Sequence, residues 1–394
     1  MLIGIVGKPS VGKSTFFKAA TLADVEIASY PFTTIKANRG IAYVKVDCID
    51  KEFKTQCNPS HGFCIEHNRF VPFELMDVAG LVKGASEGKG LGNKFLDDLR
   101  QADAFIHIVD VSGNTDEEGK ETENYNPVND VKMLENELDL WYLGILKKVW
   151  TVFARTIQNT KQNFSKAVAK QFSGLKVNEE DVKKIVLKLN YDSTKPATWN
   201  DEQLKNFSHE LRHLTKPMII AANKSDQMKA VENISKLAEE FPEIKIIPCS
   251  ADSELALREA SKANLIKYIP GEKNFEVIGN LSDKQKQALE KIKKNVLDEF
   301  DSTGVQDILN YAVFDLLKYL AIFPAGANKL ADSKGNILPD CFLLPPKSTA
   351  LDFAYFLHTD FGKNFIKAID ARTKRIIGKD YELKNRDALE IITK

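Results

Sequence analysis

The chain has 394 residues, of which 43% are hydrophobic and 28% are charged. This length is too great for one ordinary core, and the composition excludes a disordered or fibrous protein, so we expect two or three globular domains. Lys plus Arg equals Asp plus Glu at 55 each, so the net charge neither favours nor excludes a polyanionic partner.

Membrane insertion and secretion are not expected. No apolar run approaches the about 20 residues that a membrane-spanning helix needs, and the N-terminal stretch lacks the flanks of a secretion signal. Five cysteines in a chain of this length do not predict a disulfide framework. We expect a cytoplasmic monomer with no membrane partner.

The first predicted element is a short buried strand, Leu2 to Val6, which leads into a phosphate-binding motif. Residues 7–14 read GKPSVGKS and match G-x-x-x-x-G-K-[ST], and a helix is predicted directly after them. Glycines let backbone N–H groups wrap phosphates, Lys13 places charge on the β- and γ-phosphates, and Ser14 is the expected Mg²⁺ ligand. The predicted phosphate-binding residues here are Gly7, Pro9, Ser10, Val11, Gly12, Lys13, Ser14 and Thr15.

Two further segments are expected to contribute to the phosphate and magnesium site. The strand predicted from Phe70 to Met76 ends in DVAG, which places Asp77 near Mg²⁺ and lets the Gly80 N–H sense the γ-phosphate. Earlier in the chain, residues 30–34 read YPFTT and precede another predicted strand. Either threonine of this segment could be a magnesium ligand on a switch loop, and an ordinary turn explains the residues equally well.

A base-recognition motif follows the next predicted buried strand, Pro217 to Ala222. Residues 223–226 read NKSD. The Asp226 carboxylate can accept hydrogen bonds from N1–H and the exocyclic amino group of guanine, whereas adenine does not offer these donors together. A later strand leads into a Ser-Ala pair whose second backbone N–H could meet the guanine carbonyl. The predicted GTP/GDP-recognising residues are Asn223, Lys224, Asp226, Ser250 and Ala251.

With these motifs in place, the chain resembles the Obg-like GTPases, near the YchF-related branch that carries a C-terminal TGS domain. The resemblance rests on GKPSVGKST, YPFTT, DVAGLVKGASEGKGLGNKFL, NKSD and the C-terminal TALDFAYFLHTD. It implies an α/β fold: a P-loop G domain with a mainly parallel sheet, an inserted helical arm and a C-terminal β-grasp (TGS) domain. It also implies that Thr34, the second threonine of YPFTT, ligates Mg²⁺, and that Gly84 to Gly92 form a mobile switch.

The resemblance also bears on hydrolysis. Leu81 stands where a Ras-like protein has a water-orienting Gln, so no catalytic residue is identified and slow intrinsic GTP hydrolysis is expected. Ser10 replaces the Asn of potassium-using relatives, which leaves potassium activation open. Lys224 and Asp226 favour guanine over the ATP use linked to the YchF branch.

A long insertion separates the strand Ala104 to Asp110 from NKSD. Apolar residues at helical spacing predict helices over Asp130 to Ile157 and Asn163 to Leu187, as a helical hairpin that is either a partner-binding arm or a structural cover. The predicted domains are residues 1–129, the first part of the G domain; 130–200, the inserted helical region; 201–320, the second part of the G domain; and 321–394, the TGS-like domain.

The C-terminal segment is predicted as a small β-grasp. Its expected order is β-β-α-β-β, with a helix over Ala350 to Leu357 and later strands over Ala368 to Ile377 and Ala388 to Ile392. It also has a basic bias, which suits a nucleic-acid backbone, although a solvated surface explains it equally well. The basic residues concerned are Lys363, Lys367, Arg372, Lys374, Arg375, Lys379, Lys384 and Arg386.

The expected function is a slowly GTP-hydrolysing regulatory switch that acts on the ribosome or a structured RNA. Two alternatives stay open: a nucleotide-gated RNA-binding module in which hydrolysis is incidental, and a YchF-type ATPase. A separate pattern, C-x3-H-x2-C-x2-H, is formed by Cys57, His61, Cys64 and His67. Its spacing could close on zinc, and a hairpin tip carrying two thiols is the plainer interpretation.

Overall fold

The computed structural model describes residues 1–21, 38–78, 99–326, 330–332 and 335–394. These residues form two compact units, each assembled from separate parts of the chain. The first unit comprises Met1–Phe17 and Met76–Ala251, and the second comprises Lys18–Leu75 and Asp252–Lys394. The domain boundaries predicted above stay predictions.

In the N-terminal half of the described residues, strands and helices alternate, and the C-terminal part is richer in strands. The strands are β1 (Leu2–Val6), β2 (Arg39–Asp47), β3 (Phe63–Ile65), β4 (Asn68–Asp77), β5 (Ala104–Asp110), β6 (Met218–Asn223), β7 (Ile246–Cys249), β8 (Ile266–Tyr268), β9 (Phe275–Val277), β10 (Leu320–Pro324), β11 (Phe342–Leu344), β12 (Phe365–Asp370), β13 (Ile376–Ile377) and β14 (Ala388–Thr393). The helices are α1 (Lys13–Thr21), α2 (Val128–Thr160), α3 (Phe164–Gln171), α4 (Glu179–Leu189), α5 (Asp201–Thr215), α6 (Ala230–Glu240), α7 (Ala251–Lys262), α8 (Asp283–Ile292), α9 (Asp298–Phe300), α10 (Val305–Asn310), α11 (Ala350–Leu357) and α12 (Thr359–Lys363).

A parallel sheet forms the centre of the first unit, with strand order β1-β5-β6-β7. Strands β1 and β5 are buried along their whole length, as expected of strands covered on both faces. Val6 pairs in register with His107, and Asp110 pairs with Asn223. Because these strands are parallel, the loops after Val6 and after Asn223 leave the same edge of the sheet, where α/β proteins bind ligands.

The insertion is helical as predicted, but its second predicted helix is interrupted. The segment Asn163 to Leu187 contains two helices, α3 and α4, rather than one. Lys176 between them adopts a left-handed φ of +62°, and the Asn178 side chain caps α4 by accepting a hydrogen bond from the Asp181 N–H. Helix α3 ends at Gln171, Lys176 ends the short 3₁₀ turn Ser173–Leu175 that follows it, and the Asn178 cap starts α4. Apolar periodicity does not reveal these local signals.

The inserted helices share a continuous apolar core with one face of the sheet. Trp150 of α2 packs edge-on against Phe164 of α3 at 6.3 Å between ring centroids, and Phe207 of α5 lies 6.2 Å from the same indole. Met76 and Phe105 belong to this core as well. The 33 residues of α2 therefore gain their stability from tertiary packing rather than from helix propensity alone.

The second unit contains the strands β2 and β3, β4 up to Leu75, and a separate C-terminal sheet. Strand β3 pairs antiparallel with β4, and β2 also pairs with β4. The C-terminal sheet has five strands in the order β11-β10-β14-β12-β13, with Phe353 of α11 buried in its core. The predicted strand Ala368 to Ile377 is two antiparallel strands, because Asp370 accepts hydrogen bonds from the N–H groups of Arg372 and Thr373 and so closes a turn.

No helix among the described residues combines the length and the apolar character that crossing a membrane would require.

Candidate functional site

The loop that follows β1 has the backbone geometry of a phosphate cradle. Gly7 and Gly12 have φ values of +147° and +95°, and Ser10 has a left-handed φ of +63°. A Cβ atom on Gly7 would lie 2.5 Å from the Ile108 carbonyl oxygen, so no larger residue fits there without a shift. Helix α1 begins at Lys13, which directs its unpaired N–H groups and positive dipole end toward this loop.

Lys13, Ser14 and Asp77 lie together at the start of α1 and the end of β4. The Lys13 ammonium donates to the Lys8 carbonyl oxygen at 2.7 Å, and the Ser14 hydroxyl donates to the Asp77 carboxylate at 3.3 Å. Burial lowers the pKa of Lys13, and the nearby Asp77 charge opposes that shift. Burial likewise raises the pKa of Asp77, against the effects of Lys13 and Ser14. A hydroxyl and a carboxylate are hard oxygen donors of the kind that Mg²⁺ prefers, so these residues fit the ion.

Lys8, although inside the glycine-rich motif, points away from it into the first unit. Its ammonium forms a buried ion pair with Asp130 at 2.9 Å, donates to the Thr115 carbonyl at 2.9 Å, and lies 4.0 Å from the centroid of the Tyr125 ring. These three partners satisfy the buried charge. Lys8 therefore anchors the loop, which leaves Lys13 as the loop lysine at the helix start.

Asn223 joins three of the predicted segments. Its side-chain amide donates to the Val11 carbonyl oxygen at 2.8 Å and accepts from the Ala251 N–H at 3.0 Å. The residue is buried, and a Cβ atom on Gly12 would lie 2.4 Å from its Nδ2. The phosphate loop and the two predicted base-recognition loops are thus held in one constellation by a single amide. The sequence motif indicated a role for Asn223 in base recognition but not this structural bond.

The remaining predicted base-recognition residues lie beside Asn223. The Ser250 hydroxyl donates to Asp226 Oδ1 at 3.0 Å, which orients the carboxylate. Lys224 has a left-handed φ of +64°, and its ammonium contacts Asp110 Oδ2 at 2.6 Å.

Asp110 is a residue that the sequence patterns did not single out. Burial opposes its ionisation, but the ammonium of Lys224 and the hydroxyl of Ser112 outweigh that effect and hold the pKa of Asp110 below its usual range. Thr115 also donates to this carboxylate, at 2.9 Å. The signal that could have identified Asp110 is its position at the carboxyl end of a buried strand next to β6.

Four sequence predictions lie outside the described residues: the magnesium ligand Thr34, the γ-phosphate sensor Gly80, the hydrolysis-related Leu81, and the switch Gly84 to Gly92.

A glycine-rich loop between a buried strand and a helix, with an N-K-x-D loop at the same sheet edge, defines a P-loop GTPase domain. Family models agree with this class along the chain. The model "50S ribosome-binding GTPase" matches residues 2–137, "Obg-like GTPase YGR210-like, G4 motif-containing domain" matches residues 221–326, and "TGS domain" matches residues 330–393.

Relatives extend the similarity over the whole chain. An uncharacterized GTP-binding protein of Methanocaldococcus jannaschii is 49% identical over 100% of this chain and 99% of its own length. The ribosome-binding ATPase YchF of Bacillus subtilis is 32% identical over 93% of this chain and 87% of its own length. The crystal structure of a GTP-binding protein from Pyrococcus horikoshii OT3 is 42% identical and covers 100% of both chains with a TM-score of 0.79. The chain belongs to the YchF-related Obg-like P-loop GTPases, which confirms the predicted family and fold class.

Gly12→Ala is expected to weaken nucleotide binding. The new Cβ would meet Asn223 Nδ2 at 2.4 Å in a backbone region with φ +95°, which L side chains adopt at a cost of about 1–3 kcal/mol. Because this cost applies to the loop conformation that binds phosphate, the Kd for GDP is expected to rise about 5- to 150-fold. Calorimetric titration with GDP measures the change. Gly174→Ala is the matched control, because a Cβ there meets no atom of the described residues within 4 Å. Equal affinities of the two variants would contradict the expected clash at Gly12.

Proposed function

We propose that this protein is a guanine-nucleotide switch that hydrolyses GTP slowly and acts on the ribosome or a structured RNA. The observation that carries the proposal is the convergence of the phosphate loop, N-K-x-D and Ser-Ala segments on Asn223, through its bonds to Val11 and Ala251. Because these loops are connected, the phosphates bound at the start of α1 and the base bound at Asp226 would be parts of one nucleotide.

In this proposal, one group of residues binds the phosphates and another binds the guanine base. The backbone of residues 7–15 and the Lys13 ammonium bind the phosphates, with Gly80 expected at the γ-phosphate. Asp226, oriented by the Ser250 hydroxyl at 3.0 Å, reads the guanine edge, and the residues that support it are Asn223, Lys224 and Ala251. An aspartate acceptor favours guanine because an adenine would leave the carboxylate without its paired donors.

Magnesium is the metal that this site is built to use. Ser14 and Thr34 are the proposed direct ligands, and Asp77 is proposed to order the waters around the ion. The 3.3 Å contact between the Ser14 hydroxyl and the Asp77 carboxylate supports this assignment, because it brings two hard oxygen donors together. Bound Mg²⁺ would neutralise phosphate charge, and Lys13 and the backbone of residues 7–15 would hold the phosphates.

Slow turnover is proposed from Leu81, whose aliphatic side chain can neither orient nor deprotonate water. A partner that completes the site would then set the rate. Such dependence is typical of a switch, because the lifetime of the GTP-bound state is controlled by the partner rather than by the GTPase itself.

The proposed partner rests on the C-terminal domain and on a relative. The B. subtilis relative is named a ribosome-binding ATPase. Two of the basic residues in the C-terminal segment are used within the second unit, since Arg372 and Arg386 both contact Glu52. Lys363, Arg375 and Lys379 are exposed and remain suited to contact a phosphate backbone.

The proposal is tested by binding GTP, GDP and ATP to the wild type and to Asp226→Asn with Mg²⁺ present. The wild type should prefer guanine nucleotides, and the substitution should reduce that preference about 10- to 100-fold, because Asn presents a donor where guanine needs an acceptor. Asp252→Asn is the matched control: it removes the same charge from an exposed side chain two positions after Ser250, which contacts Asp226, and should leave the preference unchanged.

The second candidate function is an ATPase, which the name of the B. subtilis relative favours. The same titrations separate the two functions. If ATP binds the wild type as tightly as GTP, the guanine assignment of Asp226 is wrong and the protein acts as an ATPase.

A further inference from the structure

Three cysteines and one aspartate converge in the second unit, away from the nucleotide-binding residues. Cys48 follows β2, Cys64 lies in β3, and Asp50 and Cys57 lie in the connection between these strands. Their three sulfur atoms and one carboxylate oxygen all lie within 4.8 Å of one another. Cys48, Asp50 and Cys57 are buried. Four ligand atoms of this kind, at this spacing, form the donor set of a tetrahedral metal site.

The sulfur spacing fits a shared metal ion better than a disulfide. Cys48 Sγ and Cys57 Sγ are 3.6 Å apart, and both cysteines are free. In a tetrahedral zinc site with Zn–S bonds of about 2.3 Å, neighbouring sulfurs are about 3.8 Å apart, whereas a disulfide holds them at about 2.05 Å. We propose that Cys48, Asp50, Cys57 and Cys64 bind a structural Zn²⁺ ion.

This ligand set corrects the pattern suggested by the sequence. Cys57 and Cys64 are retained, but the two histidines of the pattern lie outside the set. His61 Nε2 faces Asp340 at 3.9 Å, and His67 Nδ1 contacts Asp50 Oδ1 at 2.9 Å. His67 is therefore a positioning residue that holds the aspartate, an arrangement common around metal ligands.

The backbone around the cluster also fixes Asp50. Its second carboxylate oxygen accepts from the Cys57 N–H at 3.0 Å, and its carbonyl oxygen accepts from the Thr55 N–H at 3.1 Å. The Cys48 N–H donates to the His67 carbonyl at 2.7 Å. These bonds hold the donors in place without the ion, so a metal would enter a largely prepared site.

Charge balance supports a divalent cation at the centre of the cluster. When it binds a metal, the set of three thiolates and one carboxylate carries four negative charges, of which Zn²⁺ neutralises two. The buried guanidinium of Arg69 lies 3.6 Å from Cys57 Sγ and offsets a third. Thiolate ligands with one carboxylate favour zinc over magnesium or calcium, which take oxygen ligands.

The proposed zinc site supports the contact between the β2–β3 connection and the C-terminal segment. Arg69 donates to the carbonyl oxygens of Leu338 at 3.0 Å and Pro339 at 2.9 Å. From the connection itself, the Asn58 and Ser60 N–H groups donate to the carbonyls of Ile337 and Pro339 at 2.9 and 2.8 Å. The ion would thus fix the surface on which the segment leading to β11 is held.

Metal analysis of the full-length protein, purified without chelator or a polyhistidine tag, tests the site. We expect one zinc per chain in the wild type, and a fall to below about one fifth of that in Cys48→Ser and Cys57→Ser, because each loses a thiolate ligand. Cys341→Ser and His61→Ala are the matched controls and should retain zinc, since Cys341 is a buried thiol of the same unit outside the set.

Cobalt substitution keeps the test decisive if a cysteine variant misfolds. The wild type, stripped by a chelator and reloaded with Co²⁺, should show intense thiolate-to-cobalt absorption, and Asp50→Asn should shift its ligand-field bands while the three thiolates remain. If the folded wild type bound neither zinc nor cobalt, the proposal would be overturned. A wild-type mass lower by two hydrogens because of a Cys48–Cys57 disulfide would also overturn it. A loss of zinc in His61→Ala equal to that in Cys57→Ser would do the same.

Hydrogen exchange tests the supporting role separately. Chelator treatment of the wild type should speed exchange at the Asn58 and Ser60 amides, which donate to the C-terminal segment. The Ala368–Ile377 strand pair serves as the internal reference and should not change. If exchange at Asn58 and Ser60 were unchanged after measured metal loss, the ion would stabilise only the loop that binds it. The proposed support of the C-terminal segment would then be wrong. Nucleotide binding is not used as the readout, so this result is independent of the proposed GTPase function.

Discussion

Replacing Lys13 with alanine is expected to lower GTP turnover by about 10²- to 10³-fold, the usual cost of removing one preorganised charge from a transition state. Lys13 is the first residue of α1, and its ammonium lies within the phosphate loop, where it donates to the Lys8 carbonyl at 2.7 Å. A nucleotide phosphate is a stronger acceptor than this carbonyl and would take over the ammonium. Single-turnover phosphate release with excess protein measures the effect even where turnover is slow.

Lys18→Ala is the control for this experiment. Lys18 lies in the same helix, its side chain is 61% exposed, and it contacts the exposed Glu259 at 3.2 Å. Its removal changes the net charge equally but takes nothing from the phosphate loop, so turnover should stay within about twofold. If Lys13→Ala turned over GTP at the wild-type rate, the assignment of the phosphate loop to catalysis would be wrong.

The second large effect is expected at Arg212 of α5, which packs against the inserted helix α2 in the first unit. This side chain of α5 is 1% exposed, and it donates to Glu135 and Asp139 of α2, the latter through Nε at 3.0 Å. Arg212→Ala leaves two largely buried carboxylates without their shared cation, which costs about 3–5 kcal/mol. Urea unfolding followed by tryptophan fluorescence measures the loss, because Trp141, Trp150 and Trp199 all belong to this core.

Lys205→Ala on the same helix is the matched control. Lys205 is exposed, so its removal should change the free energy of unfolding by no more than about 0.5 kcal/mol. Similar unfolding midpoints for the two variants would show that the buried ion pairs do not hold α5 on α2.

The same cluster predicts a pH dependence. Burial opposes ionisation of Glu135, but His213 and Arg212 outweigh it and lower the pKa of Glu135 to about 2. Since the unfolded value is about 4.3, the stabilisation is fully present above that pH and is lost as the pH falls toward 2. Arg212→Ala should flatten this part of the stability curve.

The predictions that the structure reproduced are those that depend on short stretches of sequence. Strand β1 coincides with the predicted Leu2 to Val6, and α11 coincides with the predicted Ala350 to Leu357. In α11, the Thr349 side chain caps the helix and Asp352 completes a capping box. Signals of this kind lie within a few residues of the element they specify.

The predictions that failed depended on interruptions of a regular pattern. The helix predicted over Asn163 to Leu187 is interrupted between Gln171 and Glu179, and the strand predicted over Ala368 to Ile377 is broken at Asp370. Apolar spacing continues across the first break, so periodicity alone cannot show it. The second break coincides with the polar run Arg372 to Arg375, a turn that one continuous strand does not account for.

The sequence by itself determined the class of this protein, because the glycines, lysine and serine of a phosphate loop and the N-K-x-D motif are contiguous residues whose chemistry is local. Only the tertiary structure decided how these pieces are joined. Asn223 bonds Val11 across a separation of 212 residues, and Cys48 and Asp50, rather than the two histidines of the C-x3-H-x2-C-x2-H pattern, lie together with Cys57 and Cys64. The physical reason is that hydrogen bonds and metal ligation depend on distance in space, which the pairing of strands sets and spacing along the chain does not.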